Sequence, residues 1–144
     1  MAPRISVRDL AAVIVGGMLG TGLRLAVDVA IPHQDDGFPL STLIVNVVGA
    51  FALAVLVARV WRGAPNWLKA GLGAGLLGSF TTFSALALSL VSLASNGEWM
   101  LTLAYLAASL ALGLGAAWLG LRLGHPRSIG PAPHGPAPID PVNE

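Results

Sequence analysis

Apolar residues in this chain gather into four long runs, at residues 10–31, 38–60, 67–95 and 99–121. Each can carry the roughly 20 residues of helix that cross the hydrocarbon of a bilayer. Trp61, Trp67 and Trp99 fall at the edges of the runs, and Trp118 near one. Tryptophan favours the membrane interface because one end of its ring system is apolar and the other donates a hydrogen bond. The pattern predicts an all-α integral membrane protein with four transmembrane helices. Arg4 and Arg8 ahead of the first run imitate a signal peptide, but that run is too long for the apolar part of one, and three more follow.

Composition agrees. The chain has 144 residues, 55% hydrophobic and 10% charged, whereas a soluble domain is about 25% charged. Without cysteine there is no disulfide and no thiolate metal site. A net charge of +1 leaves no footprint for nucleic acid. The pattern divides the chain into a cytoplasmic N-terminus at 1–9, a transmembrane domain at 10–124 and a disordered Pro- and Gly-rich tail at 125–144.

With four spans, both termini and the loop between spans two and three share one side. That side holds Arg4, Arg8, Arg59, Arg62, Lys69, Arg122 and Arg127, and the opposite loops hold Asp35, Asp36 and Glu98. The positive-inside rule therefore predicts cytoplasmic termini.

Small residues matter where helices associate in lipid, because burial there adds little. Gly16/Gly20, Gly71/Gly75 and Gly120/Gly124 have the four-residue spacing that lets two backbones approach. Residues 73–78 also match G-x-G-x-x-G, but inside an apolar span that is no dinucleotide site. Arg24 lies deep in the first run, where it costs at least about 2.5 kcal/mol at the bilayer centre. Asp28, one turn on, can pair with it; the other reading of Arg24 is an anion-attracting vestibule. Thr42, Asn46 and Gly49 share one face of span two. Asn46 must find a partner in lipid, either across a helix interface or as an N–H donor in a pore. Thr102, Tyr105, Ser109 and Gly113 form a comparable stripe on span four, read as packing or as a pathway.

Span three is longer than a straight crossing needs, and its centre reads Gly78-Ser79-Phe80-Thr81-Thr82-Phe83-Ser84-Ala85-Leu86. Its Gly, two Thr and two Ser are poor helix formers or carriers of polar atoms. The stretch predicts that the third helix is broken there. Such a break is tolerated at membrane depth only where the freed backbone groups are buried in protein or face a cavity or an ion. Freed carbonyls suit a hard cation, while the hydroxyls of Thr82 and Ser84 and the ring edge of Phe83 suit an anion. The other reading is a continuous helix whose hydroxyls bond back to their own turn.

"GGMLGTGLR" at 16–24, "STLIVNVVGAF" at 41–51 and "GLLGSFTTFSALALS" at 75–89, in that order in a four-span chain, resemble the small bacterial fluoride channels of the Fluc (CrcB) family. The resemblance covers roughly residues 10–122. It implies an antiparallel, dual-topology dimer in a bacterial inner membrane, with two fluoride pores along the subunit interface. It further implies a structural sodium ion, not transported, held by the backbone carbonyls of Gly78 and Thr81 from both subunits. By motif position Asn46 and Phe83 are pore residues and Arg24 is the vestibule arginine. Ser84, Thr42, Tyr105 and Ser109 fall among polar pore or near-pore groups, and the Thr82 hydroxyl at the break joins them as a pore candidate. The expected activity is passive fluoride efflux, since no span carries a central Glu to relay protons.

One departure stands out: the family's TTFSTF reads here Thr81-Thr82-Phe83-Ser84-Ala85-Leu86, so the second Phe is Leu86. A leucine lacks an electropositive ring edge. Together with the one-sided Lys/Arg distribution this raises a heterodimer with an oppositely oriented paralogue as the alternative to a homodimer. From other classes come a proton-coupled exporter of organic cations, which needs a carboxylate within the first span, and a non-transporting assembly subunit. An enzyme is not expected: there is no nucleophile–base pair, and His33, His125 and His134 lie in loops or tail.

Overall fold

The computed structural model describes residues 6–31 and 38–124. Ser6 starts the first helix through a reciprocal cap. Its hydroxyl accepts from the Asp9 N–H at 3.1 Å, and the Asp9 carboxylate accepts from the Ser6 N–H at 2.9 Å. Helix α1 then runs Val7–Ala30 and α2 runs Leu40–Arg59. After Pro65, α3 (Asn66–Lys69) leads into a π-helical segment, Ala70–Leu77, and the single turn α4 (Gly78–Phe80). Helices α5 (Phe83–Ser95) and α6 (Trp99–Gly124) follow. They are joined through Gly97, whose φ of +81° suits a residue without Cβ.

The described residues hold four helical stretches long and apolar enough to cross a membrane: α1, α2, Asn66–Ser95 and α6. They contain no strand. Their ends fall within three residues of the hydropathic runs, the largest offsets at the start of α1 and the end of α6. Arg4, Arg127, Asp35, Asp36, the three histidines and the tail lie outside the described residues.

Two interfaces hold the bundle together, and glycines form both. A Cβ on Gly16 would run into the Gly71 carbonyl, and one on Gly20 into the Leu76 carbonyl. Gly71 and Leu76 are one π turn apart, and Gly16 and Gly20 one α turn apart. The widened helix therefore matches its carbonyls to two successive small positions on α1. From the other side, a Cβ on Gly75 would come within 2.7 Å of the Val13 carbonyl. At the second interface α6 lies on α2, where a Cβ on Gly120 would stand 2.7 Å from the Phe51 carbonyl and one on Gly124 would meet the Ala58 methyl. All three glycine pairs in the sequence thus sit at close helix contacts.

Large apolar side chains point outward, Met18, Leu88 and Leu114 at 71% exposure each. A surface so apolar suits lipid and not water. The inside is small and includes buried Leu43, Leu93 and Tyr105 in one cluster. At one end of the bundle Arg8 stacks on Trp67 at 4.4 Å, Arg122 stacks on Trp118 at 4.1 Å, and Arg59 donates to the Leu123 carbonyl at 3.0 Å.

Candidate functional site

Between α4 and α5 the chain is extended for two residues, Thr81 (φ −78°, ψ 157°) and Thr82 (φ −150°, ψ 122°). Side chains take over the hydrogen bonds that a helix would make here. The Thr81 hydroxyl donates to the Leu77 carbonyl at 3.0 Å, where the Thr81 N–H also ends. Thr82 is the N-cap of α5, its hydroxyl accepting from the Ala85 N–H at 3.2 Å. Asn46 of α2 takes both backbone groups of Thr82: its amide donates to the Thr82 carbonyl at 2.9 Å and accepts from the Thr82 N–H at 2.8 Å. Gly49, one turn along α2, leaves room for the Thr81 methyl, which a Cβ there would strike.

This arrangement has a consequence for two carbonyls. In a continuous helix Gly78 would receive the Thr82 N–H and Thr81 the Ala85 N–H. Asn46 holds the first of those donors and the Thr82 hydroxyl the second. Gly78 and Thr81 both line a cleft of about 410 Å³, whose walls also include Asn46, Thr82, Phe83 and Leu86. Phe83 is 80% exposed at this cleft, and the Ser84 hydroxyl lies 3.1 Å from that of Thr82. The Asn46 amide nitrogen carries two hydrogens, and the Thr82 carbonyl engages one of them.

A second polar group meets the same helix, α2, at Thr42. Tyr105 of α6 is fully buried, edge-on to Phe38 with ring centroids 5.3 Å apart. Around its hydroxyl stand those of Thr42, Ser89 and Ser109. Their geometry falls short of hydrogen bonding, so the buried Tyr105 and Ser109 hydroxyls have no partner among the described residues. Ser89 was not singled out from the sequence; it lies two helical turns beyond Thr82, on the same face.

The third group closes the opposite end of the bundle from Arg8. Arg24 Nε is 3.9 Å from an Asp28 carboxylate oxygen. The buried Ser41 hydroxyl donates to the other oxygen at 2.9 Å. The Ser41 contact ties α1 to α2 and had no signal in the spacing. Thr102, in the stripe expected on span four, donates to the Glu98 carbonyl at 2.9 Å. Ser41, Thr42 and Asn46 together place all three polar groups along the first turns of α2.

Four apolar spans around a small polar interior define a multi-pass helical membrane protein. Residues 11–121 match the family described as CrcB-like protein, Camphor Resistance (CrcB). The chain belongs to the CrcB family. It is 41% identical over 112 residues to the protein named fluoride-specific ion channel FluC 1 of Cutibacterium acnes, covering 74% of this chain and 78% of that one. To fluoride-specific ion channel FluC 2 of Geobacillus kaustophilus it is 37% identical over 118 residues, or 80% and 92% of the two chains. To fluoride-specific ion channel FluC of Paracoccus denitrificans it is 39% identical over 112 residues, or 78% and 90%.

Proposed function

We propose that this chain is a subunit of a fluoride channel that releases cytoplasmic fluoride passively across a bacterial inner membrane. The family is one of ion channels and not of enzymes. The observation that carries the reading is the Asn46–Thr82 pair, which supports an interruption of span three. Fluoride is small and strongly hydrated, so a pore must replace its water with donors. The second Asn46 N–H, the Thr82 and Ser84 hydroxyls and the Phe83 ring edge are donors of that kind at the cleft. Thr42 of α2 and Tyr105 and Ser109 of α6 add further hydroxyls, and Arg24 supplies positive charge at the vestibule. Acids among the described residues are confined to Asp9, Asp28 and Glu98, all near helix ends, which favours passive flow over proton coupling.

A sodium ion fits the Gly78 and Thr81 carbonyls, because both have lost their helical donors and oxygen suits a hard cation. With the same two carbonyls from a second, antiparallel subunit, it would tie the two protomers together without being transported. The Lys/Arg bias and Leu86 at the cleft favour a partner of different sequence, inserted the opposite way while this chain keeps its termini in the cytoplasm.

Fluoride release from liposomes, followed with a fluoride electrode, tests the proposal. Chain co-reconstituted with an oppositely oriented family member should empty fluoride-loaded vesicles while chloride is retained. Absence of release with such a partner and with the pure chain refutes the channel. Fast release from the pure chain refutes only the need for a second sequence. If Leu86 limits the pure chain, Leu86→Phe should raise its rate.

A further inference from the structure

Away from the polar groups, an apolar groove of about 180 Å³ runs between α1 and the first half of the third span. Ala12, Val15 and Leu19 line it from α1, and Trp67, Gly71 and Leu76 from the other side. Val15 and Leu19 are 57% and 56% exposed, so the groove opens outward. Its depth is limited by Gly16 and Gly71, which bring the two backbones together at its floor.

A cation stands at one end. Arg8 lies one turn before Ala12, on the α1 face that also carries Val15 and Leu19. Its guanidinium rests over the Trp67 ring at 4.4 Å. That contact leaves to a ligand the N–H edge that recognises phosphate, on which no hydrogen bond falls among the described residues. From Arg8 to Leu19 the helix rises about 16 Å, close to half of the roughly 30 Å of bilayer hydrocarbon. The groove lining from Ala12 to Leu19 takes about 10 Å of that, a length that suits part of a single acyl chain and is too short for a transmembrane helix of a partner.

We infer that this groove binds an anionic diacyl phospholipid, its phosphate on Arg8 and one acyl chain along Val15, Leu19 and Leu76. The acyl chain gains little by leaving lipid for an apolar groove. Selectivity therefore rests on the charge-assisted contact at Arg8. The site is separate from the polar cleft and does not depend on what the chain conducts.

The full chain in phosphatidylcholine vesicles, doped with a diazirine-acyl probe of either phosphatidylglycerol or phosphatidylcholine, tests this by photolabelling and peptide mapping. The phosphatidylglycerol probe should label residues 12–19 and 71–76 several-fold more strongly. Arg8→Gln should cut that preference about five-fold, the worth of one interfacial cation, and Arg8→Lys should keep most of it. Val15→Trp, which fills the groove from an exposed position, should abolish labelling there with Arg8 intact. Equal labelling by the two probes, a preference unchanged in Arg8→Gln, or cross-links from Val15 to a second copy of the chain would overturn the inference.

Discussion

Asn46 and Thr82 exchange two hydrogen bonds between α2 and the third span, at 2.9 and 2.8 Å. One side chain thereby satisfies both backbone groups of a residue that no helix serves. In lipid those groups have no water to turn to. Asn46→Leu should strand both, at about 1–3 kcal/mol each, and lower the thermal unfolding midpoint together with fluoride release. Asn46→Asp keeps the acceptor for the Thr82 N–H, so its stability loss should be smaller. Its added charge should still abolish anion release. Equal stability of Asn46→Leu and the parent chain would rule out the clamp.

Gly49 governs how near Thr81 comes to α2. A Cβ there falls on the Thr81 methyl, and such overpacking costs about 1–3 kcal/mol. Gly49→Ala should destabilise by that amount. Adding Thr81→Ser removes the methyl while keeping the hydroxyl bond to Leu77, and should recover most of the loss.

Gly20 and Gly22 sit two residues apart on α1 in opposite surroundings. A Cβ on Gly20 meets the Leu76 carbonyl, while one on Gly22 meets nothing within 4 Å. Gly20→Ala should push α1 from the π-helical segment and lower stability in detergent. Gly22→Ala should be neutral or stabilise by up to about 1 kcal/mol through helix propensity.

Exchange of sodium for a bulky organic cation tests the role proposed for the Gly78 and Thr81 carbonyls. Binding to the folded form alone stabilises by about 2.7 kcal/mol at a hundred times the dissociation constant. If the proposed dimer forms around the ion, its unfolding midpoint should therefore fall on exchange. Asn46→Leu, which removes the side chain that holds the extended Thr82 backbone in place, should blunt that response. A midpoint indifferent to sodium would remove the ion from the scheme.

Much of this molecule was legible in one dimension. Hydropathy placed the four spans to within a few residues, and the three glycine pairs marked close helix contacts. Asn46 left two readings open, an interhelical bond or a pore donor; it makes the interhelical bonds and retains one N–H. The spacing of Arg24 and Asp28 anticipated their pairing at 3.9 Å. Not legible were Ser41 on Asp28, Ser89 beside Tyr105 and the π-helical segment. Each depends on which face of one helix meets another.

Span number, length and contact glycines follow from the sequence itself, because solvation by lipid and exclusion of a Cβ act on each residue through its own chemistry and its near neighbours. The tertiary structure alone decided that Asn46 would complete Thr82, 36 residues away. A hydrogen bond between distant segments is set by how two helices are rotated and offset against each other. That in turn is fixed by every contact along the interface at once, Gly49 against Thr81 among them.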